Sequence, residues 1–154
     1  MNTFIQTILP FAKQIQAQYK VPVSVCIAQA ALETGWGRYV AGNNYFGIKA
    51  TPEDGGVSVE TPTMEFINGK WVQITASFCQ YPSMEASVQG YGKLLGTSPI
   101  YVLCFLATNP QDFCAQLQMC GYATDPNYAE KLIAIISGSD LQQYDIEPTT
   151  SPPA

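Results

Sequence analysis

Residues 31–37 read Ala31-Leu32-Glu33-Thr34-Gly35-Trp36-Gly37 and close a segment that is apolar almost throughout from Val23 onward. Ser24 and Gln29 are the polar residues that interrupt it before Glu33. This pattern predicts a helix that is apolar nearly all round and lies inside a core, from about Val21-Pro22 to Glu33. Gly35 is typical of the residue at which such a helix ends.

The position of Glu33 in the last turn indicates an unusual carboxyl group. Burial and the negative end of the helix dipole both disfavour the ionised form, so we expect a raised pKa for Glu33. A carboxylic acid that keeps its proton near neutrality is what a general acid needs. On periodicity alone, a capping or ion-paired glutamate at a helix end is an equal alternative.

The composition indicates one globular domain and excludes one class of partner. The chain has 154 residues, of which 47% are apolar and only 12% are charged, so it can build a core of ordinary size. Its net charge is −5, and its basic residues are scattered along the chain. Nucleic-acid binding needs clustered lysine and arginine, so nucleic acid is not expected as a partner.

The chain contains no histidine, which excludes whole classes of chemistry. Ser-His-Asp and Cys-His catalysis require that residue, as do the zinc sites of metalloproteases. The five cysteines lack C-x-x-C spacing, so neither a metal nor another cofactor is predicted. We interpret the cysteines as free buried thiols, or as forming one or two disulfides among Cys79, Cys104, Cys114 and Cys120.

Hydropathy predicts a protein without a membrane span. No run reaches the roughly 18 apolar residues of a spanning helix. The N-terminus lacks the basic and apolar regions of a cleavable signal peptide. We therefore expect export by a specialised route, or synthesis in the cytoplasm followed by release.

Turn and capping signals predict helices interrupted by one β-hairpin. The Asn68-Gly69 pair between strands over 57–65 and 70–78 is the hairpin signal. Loops are expected over 37–50 and 51–56. The other helices are predicted over 3–19, where Pro10 should kink or divide the helix, and over 83–95, 98–107, 109–121 and 125–138. The chain is polar beyond Ser139, so we expect a domain over 1–138 and a mobile tail over 139–154.

Glu65 is the second carboxylate of interest and lies on the first hairpin strand. Glu60 lies five residues earlier and faces the opposite side of a regular strand. A carboxylate at Glu65 could face Glu33 across a cleft. Glycosidases use two carboxyl groups, roughly 5–5.5 Å apart for retention and 6.5–9.5 Å apart for inversion. For Glu60 or Glu65 taken alone, a solvated hairpin position is the stronger alternative.

Aromatic and amide residues cluster after Glu33 and suit a sugar-binding groove, where rings pack on pyranose faces and amides bond hydroxyl or acetamido groups. The cluster comprises Trp36, Tyr39, Asn43, Asn44, Tyr45 and Phe46, followed later by Tyr81, Tyr91, Tyr122 and Tyr128. Core and loop packing is the alternative and is expected to account for at least half of them.

Several of these segments together resemble glycoside hydrolase family 73, the peptidoglycan β-N-acetylglucosaminidases. The resemblance spans about residues 3–136, and the order of the segments makes it more specific than any one motif. The segments are Gln29-Ala30-Ala31-Leu32-Glu33-Thr34-Gly35-Trp36-Gly37, Asn43-Asn44-Tyr45-Phe46-Gly47-Ile48-Lys49, Thr63-Met64-Glu65, Phe78-Cys79-Gln80-Tyr81, and Gly121-Tyr122-Ala123-Thr124-Asp125-Pro126 with Tyr128-Ala129.

The resemblance implies an α+β, mainly α, lysozyme-like fold in which a helical lobe and a small β-hairpin lobe flank a substrate groove. It implies that Glu33 donates a proton to the glycosidic oxygen, with Glu65 as the second carboxylate and Tyr122 beside the reacting sugar. The substrate's own 2-acetamido group is the alternative to Glu65 as nucleophile. The residues expected to shape or line the sugar subsites are Trp36, Asn44, Tyr45, Phe46 and Tyr81.

The implied function is cleavage of the β-1,4 bond after N-acetylglucosamine in a peptidoglycan glycan strand, in the periplasm or cell wall. The alternatives are an N-acetylmuramidase or lytic transglycosylase and, in a different class, a non-catalytic glycan-binding module. For delivery we expect an antibacterial effector of a type VI secretion system, with a cognate immunity protein that occludes the cleft, or a phage lysis or tail enzyme. Cys79 departs from the family, which has arginine there, and so removes a cation that could pair with Glu65.

Overall fold

A helical lobe and one antiparallel hairpin make up the computed structural model, which describes residues 2–51 and 57–146. The predicted α+β, mainly α, fold class is confirmed. Most of the predicted 51–56 turn and the end of the predicted tail, 147–154, lie outside the described residues. The elements are α1 (Thr3–Tyr19), α2 (Val23–Thr34), β1 (Ser58–Ile67), β2 (Lys70–Cys79), α3 (Met84–Thr97), a 3-10 helix (Pro99–Leu106), α4 (Pro110–Met119), α5 (Tyr128–Gly138) and a second 3-10 helix (Leu141–Asp145).

Helix α2 is the centre of the helical lobe because its sequence is apolar on nearly every side. Ten of its 12 residues are buried, and it packs against α1, α4, α5 and the second 3-10 helix. Its buried amide, Gln29, donates to the Tyr128 hydroxyl at 2.9 Å and accepts from the Tyr91 hydroxyl. Gly35 ends the helix with φ +57°, so the predicted core helix and its stop are confirmed.

The other helices follow the predicted boundaries with two differences. Helix α1 passes through Pro10 undivided. Helix α5 begins at Tyr128, later than the predicted start, because the Asp125 carboxylate accepts from the Asn127 amide and forms a turn first. Ser83 and Asn109 cap α3 and α4 as predicted, through bonds to the amides of Ala86 and Asp112.

The hairpin forms at its predicted turn and is joined to the helical lobe along one edge. Asn68 and Gly69 adopt φ +51° and +77°, the left-handed pair that a tight two-residue turn requires. At the open end, the Cys79 amide donates to the Ile48 carbonyl at 2.9 Å and the Ala50 amide donates to the Ser77 carbonyl at 2.8 Å. The loop before β1 therefore continues the sheet.

The predicted tail is packed for its first part, which corrects the expected boundary at residue 139. Leu141 is fully buried, and Asp145 accepts hydrogen bonds from the backbone amide and the hydroxyl of Ser24, at 2.7 and 2.6 Å. The bond from the Ser24 amide satisfies one of the backbone donors that every helix leaves unpaired at its N-terminus. The polar composition of this segment did not predict the packing, because its partner, Ser24, lies in a distant part of the sequence.

All five cysteines are unbridged, in agreement with the interpretation as free thiols. Cys26, Cys104 and Cys114 are buried, and Cys79 and Cys120 are half-buried. No helix in the described part of the chain combines the length and the apolar character needed to cross a membrane.

Candidate active site

A groove runs between the hairpin and the helical lobe, and Glu33 lies at its middle. Two adjoining cavities, of about 460 and 260 Å³, are both lined by Glu33. The larger one also contacts Tyr122, Tyr101 and Glu65, and the smaller one contacts Tyr39. The carboxyl group of Glu33 is thus reached from both sides of the groove.

Glu33 is carried by the last turn of the buried helix, yet its side chain is exposed to the groove. This corrects the expectation of a carboxyl group enclosed in the core. Gly47, at φ +64°, lies against it, since a Cβ at that position would come 2.7 Å from Oε2 of Glu33. The loop backbone therefore passes directly behind the carboxyl group, and a glycine is needed there.

The pKa of Glu33 is raised to about 7, in the predicted direction. Desolvation by the surrounding protein is the larger cause, and the negative charge of Glu65 is the smaller one. No hydrogen bond to the Glu33 carboxyl group is found within residues 2–51 and 57–146. Both causes disfavour the ionised form, so Glu33 keeps its proton to a higher pH than an ordinary glutamate does.

Glu65 on β1 lines the same cavity but is in the opposite electrostatic state. Its Oε1 accepts from Lys49 Nζ at 2.7 Å, and its Oε2 accepts from the Thr124 hydroxyl at 2.6 Å. Partial desolvation raises the pKa of Glu65, but the bonds from Lys49 and Thr124 and the Lys49 charge outweigh it and lower the pKa below its usual value. Lys49 thus supplies a cation that the cysteine at position 79 cannot.

Tyr122 forms part of the floor of the larger cavity. Its hydroxyl donates to the Phe46 carbonyl at 2.9 Å, and its ring stacks on Tyr128 with centroids 5.8 Å apart. Desolvation first, and then neighbouring groups that include Tyr128 and Glu33, raise the pKa of Tyr122 well above its usual value. The hydroxyl group is therefore neutral at any physiological pH.

Two of the residues expected at sugar subsites border the cavities while serving the fold. The side chain of Asn44 donates to the carbonyls of Ile48 and Cys79 and accepts from the amides of Phe46 and Ile48. The Phe46 ring is fully buried and stacks on Tyr91, with centroids 3.9 Å apart. Both residues shape the loop that contains Gly47.

The other three residues expected at subsites lie elsewhere. Trp36, Tyr45 and Tyr81 are absent from the described residues that line the two cavities. The ring of Trp36 meets Phe4 edge-on at 6.0 Å, and Tyr45 packs on the same phenylalanine at 6.5 Å. The Tyr81 ring covers Gly90 of α3. The structure thus places these rings against α1 and α3, as the packing alternative for this cluster anticipates.

Sequence reasoning missed several residues of the groove, namely Lys49, Trp71, Tyr101 and Thr124. Lys49 and Thr124 belong to the family-like segments 43–49 and 121–126, so the sequence offered both as candidate hydrogen-bond partners for a site carboxylate. Trp71 and Tyr101 carried no signal, because their approach to the groove depends on how the hairpin and the first 3-10 helix are placed. Within the described ranges, no group of three or more His, Cys, Asp or Glu side chains could hold a metal ion.

Comparison with known proteins gives one family and close structural relatives. Residues 9–141 match the Glucosaminidase family, described as mannosyl-glycoprotein endo-beta-N-acetylglucosaminidase. The peptidoglycan hydrolase FlgJ of Pseudomonas aeruginosa is 37% identical over 93% of this chain, and a probable N-acetylmuramidase of Lactococcus lactis is 37% identical over 94%. A crystal structure of a peptidoglycan hydrolase mutant from Sphingomonas sp. A1 superposes with a TM-score of 0.84 at 38% identity, covering 92% of this chain and 96% of that one.

The chain spans only part of the two curated relatives. It covers 37% of the length of the Pseudomonas aeruginosa protein and 35% of the Lactococcus lactis protein. The likeness therefore concerns about a third of the length of those proteins.

Proposed function

The chain belongs to the Glucosaminidase family, glycoside hydrolase family 73, and on that premise we propose that it hydrolyses the β-1,4 bond after N-acetylglucosamine in peptidoglycan glycan strands. The observation that carries this proposal is that Glu33 and Glu65 line one groove in opposite surroundings. Desolvation raises the pKa of Glu33 to about 7, whereas bonds from Lys49 and Thr124 lower the pKa of Glu65 below its usual value. Two carboxyl groups whose environments separate their pKa values are what glycoside hydrolysis uses as acid and anion.

Glu33 acts as the general acid in this proposal. It donates its proton to the glycosidic oxygen as the bond from that oxygen to the anomeric carbon breaks, and it becomes a carboxylate. Desolvation in the groove and the nearby Glu65 charge both favour the protonated form of Glu33, which is the form that a general acid needs. Its access to both cavities fits a bond that is cleaved between sugars bound on either side.

Glu65 acts as the anion that stabilises the positive charge developing on the reacting sugar. Lys49 and Thr124 keep it ionised at the pH where Glu33 is still protonated. The Tyr122 hydroxyl, fixed by its bond to the Phe46 carbonyl, forms part of the floor of the reacting subsite. Product stereochemistry distinguishes the routes, because attack by Glu65 or by the substrate acetamido group retains the anomeric configuration and direct attack by water inverts it.

Product analysis of digested peptidoglycan tests the proposal. We expect mass spectrometry of borohydride-reduced products to show N-acetylglucosamine at the reducing end, and we expect Glu33→Gln to lower its formation by about 10²–10⁴-fold. Glu130→Gln, on the exposed side of α5, serves as the matched control and should act as the wild type does. Failure of the wild-type protein to release any reducing end, or full activity of Glu33→Gln, would contradict the catalytic assignment.

An N-acetylmuramidase is the second candidate function, and the name of the Lactococcus lactis relative favours it. Glu33 would again donate the proton in the same groove, but the glycan strand would be bound one sugar further along, so that the bond after N-acetylmuramic acid is cleaved. Muramic acid at the reducing end would establish this candidate, and 1,6-anhydro-muramic acid would indicate lytic transglycosylation instead.

Delivery as an antibacterial effector, with an immunity protein over the groove, stays a prediction. A competition assay between producing cells and target cells that lack the neighbouring gene product measures it directly. Killing that depends on contact and on Glu33 would support that route, and survival of the target cells would reject it.

A further inference from the structure

One hydroxyl group, that of Thr124, joins the two lobes directly across the groove. It donates to Oε2 of Glu65 at 2.6 Å and accepts from the backbone amide of Phe66 at 2.9 Å. Thr124 lies between α4 and α5, whereas Glu65 and Phe66 are consecutive residues of β1. A single short side chain thus contacts both the carboxylate and the backbone that carries it.

The two partners of Glu65 differ in what they provide. Lys49 reaches Oε1 at the end of a long side chain that is 50% exposed, so its contribution is mainly charge. Thr124 reaches Oε2 through a β-branched side chain with a stiff first torsion. The hydroxyl is therefore better suited than the ammonium group to define the direction in which the carboxylate points.

A second contact holds the same end of the hairpin against the helical lobe. Lys131 of α5 lies 5.8 Å from the centre of the Trp71 ring, and Trp71 in turn meets Phe66 edge-on at 5.3 Å. Thr124 thus belongs to a small contact between the hairpin tip and the start of α5, which is separate from the backbone bonds that residues 48–50 form with the open end of the hairpin.

We propose that Thr124 is a positioning residue, whose hydroxyl orients the Glu65 carboxylate in the groove and fixes the hairpin tip to the helical lobe. The inference rests on the proposed function, because the orientation of Glu65 matters for catalysis only if a bond is cleaved in this groove. The exposed position of Thr124 allows its side chain to be changed without opening the core.

Replacing the hydroxyl tests the proposal with little change in shape. Thr124→Val keeps the β-branch and removes both hydrogen bonds, and we expect kcat on peptidoglycan to fall about tenfold, as for loss of one bond to a charged group. Thr124→Ser keeps the hydroxyl and should restore most of the activity. Thr97→Val, which removes an exposed hydroxyl bonded to the Lys93 carbonyl of α3, is the matched control and should leave kcat unchanged.

The pH profile separates an effect through Glu65 from general damage. Glu65 is faced by Lys49 from the preceding loop, by Glu33 from α2, and by Asp125, paired with Lys131, from the segment before α5. Thr124→Val removes one of the bonds that lower the pKa of Glu65. The acid limb of the kcat profile should therefore move to higher pH, while Thr97→Val leaves that limb in place.

Hydrogen exchange gives a readout that does not need activity. The Phe66 amide donates to Thr124, so its exchange should become faster in Thr124→Val and stay slow in Thr124→Ser and Thr97→Val. A Thr124→Val protein with wild-type kcat, an unmoved acid limb and an unchanged Phe66 amide would overturn the inference. If the wild-type protein releases no products, the proposed function fails instead, and the exchange result still decides whether Thr124 fixes the hairpin.

Discussion

The helical lobe and the hairpin each contribute one carboxyl group to the groove, but they hold it in different ways. Glu33 extends from a helix whose residues are almost all buried, and no hydrogen bond holds its carboxyl group within residues 2–51 and 57–146. Glu65 extends from a two-stranded sheet and is held by Lys49 and Thr124. The apolar side chains exposed on the hairpin include Met64, Ile67, Trp71 and Val72.

The difference shows how one groove can hold an acid and an anion at the same pH. The helical lobe provides low polarity and a fixed backbone, which keep a proton on Glu33. The hairpin has no core of its own, so it provides hydrogen-bond donors and a cation, which keep Glu65 ionised. A carboxyl group exchanged between these two sites would take the protonation state of its new surroundings.

The largest expected effect is that of Glu33→Gln, which removes the proton donor and preserves the shape of the side chain. We expect peptidoglycan cleavage to fall by about 10²–10⁴-fold, the usual contribution of a general acid. Turbidity loss of purified cell walls measures this, with Glu130→Gln as the control. A loss no larger than that of the control would mean that the acid is not at the end of α2.

Glu65→Gln should reduce cleavage less, by about 10²-fold, since it removes charge stabilisation but leaves the proton donor. It should also lower the pKa of Glu33 below about 7, because the negative charge of Glu65 contributes to raising it. The alkaline limb of the rate profile would then move to lower pH. An alkaline limb that stays in place would show that the two groups do not interact.

The Tm differences of Glu33→Gln and Glu65→Gln from the wild type should change with pH in opposite directions. The folded-state pKa of Glu33 is raised, so its native site loses stability as pH rises from about 4.5 to about 7. Glu33→Gln should therefore gain in Tm relative to the wild type across that range. The folded-state pKa of Glu65 is lowered, so its site contributes stability at higher pH that is lost on acidification.

Glu65→Gln should accordingly lose Tm relative to the wild type at neutral pH and approach it under acidic conditions. Calorimetry of the two variants at a series of pH values provides the measurement. If the Tm differences from the wild type changed in the same direction with pH for Glu33→Gln and Glu65→Gln, the two carboxyl groups would not lie in opposite electrostatic surroundings.

The smallest expected effect concerns the N-terminus of α2, at the other end from Glu33. Asp145→Ala removes the acceptor for the Ser24 amide and hydroxyl, which should cost about 1 kcal/mol, as for a lost helix cap. This corresponds to a decrease in Tm of about 3 °C. Glu85→Ala in the first turn of α3 is a suitable control for a charge removed near a helix N-terminus, and it should lower Tm less. An unchanged Tm in Asp145→Ala would show that the bonds between Asp145 and Ser24 do not stabilise α2.

The sequence predicted the parts of the fold and site that depend on local patterns. Apolar residues around α2, the glycine at position 35 and the Asn68-Gly69 turn each act within a few residues, so their structures followed directly. The direction of the Glu33 pKa shift was predicted from the apolar helix that carries it, although Glu65 on the hairpin also contributes to the shift. The direction of the Glu33 side chain could not, because it depends on where the Gly47 loop passes.

Contacts between distant segments account for what sequence reasoning did not find. Trp36 and Tyr45 both pack against Phe4 of α1, and Tyr81 packs on Gly90 of α3. The cation beside Glu65 is Lys49, which lies 16 residues earlier in the sequence, in the loop that precedes β1. No spacing rule links these residues, since each pair meets only after the lobes have formed.

The bond between Asp145 and Ser24 also bears on how the chain acquires its structure. The two residues are 121 positions apart in sequence, so the N-terminal end of α2 cannot complete its contacts until nearly the whole domain has been synthesised. Closing so long a loop is a slow, entropically unfavourable event that belongs late in folding. The helix that carries Glu33 is therefore expected to be fully anchored only in the finished domain, so that a chain cut before Asp145 would present the acid on an incompletely fixed support.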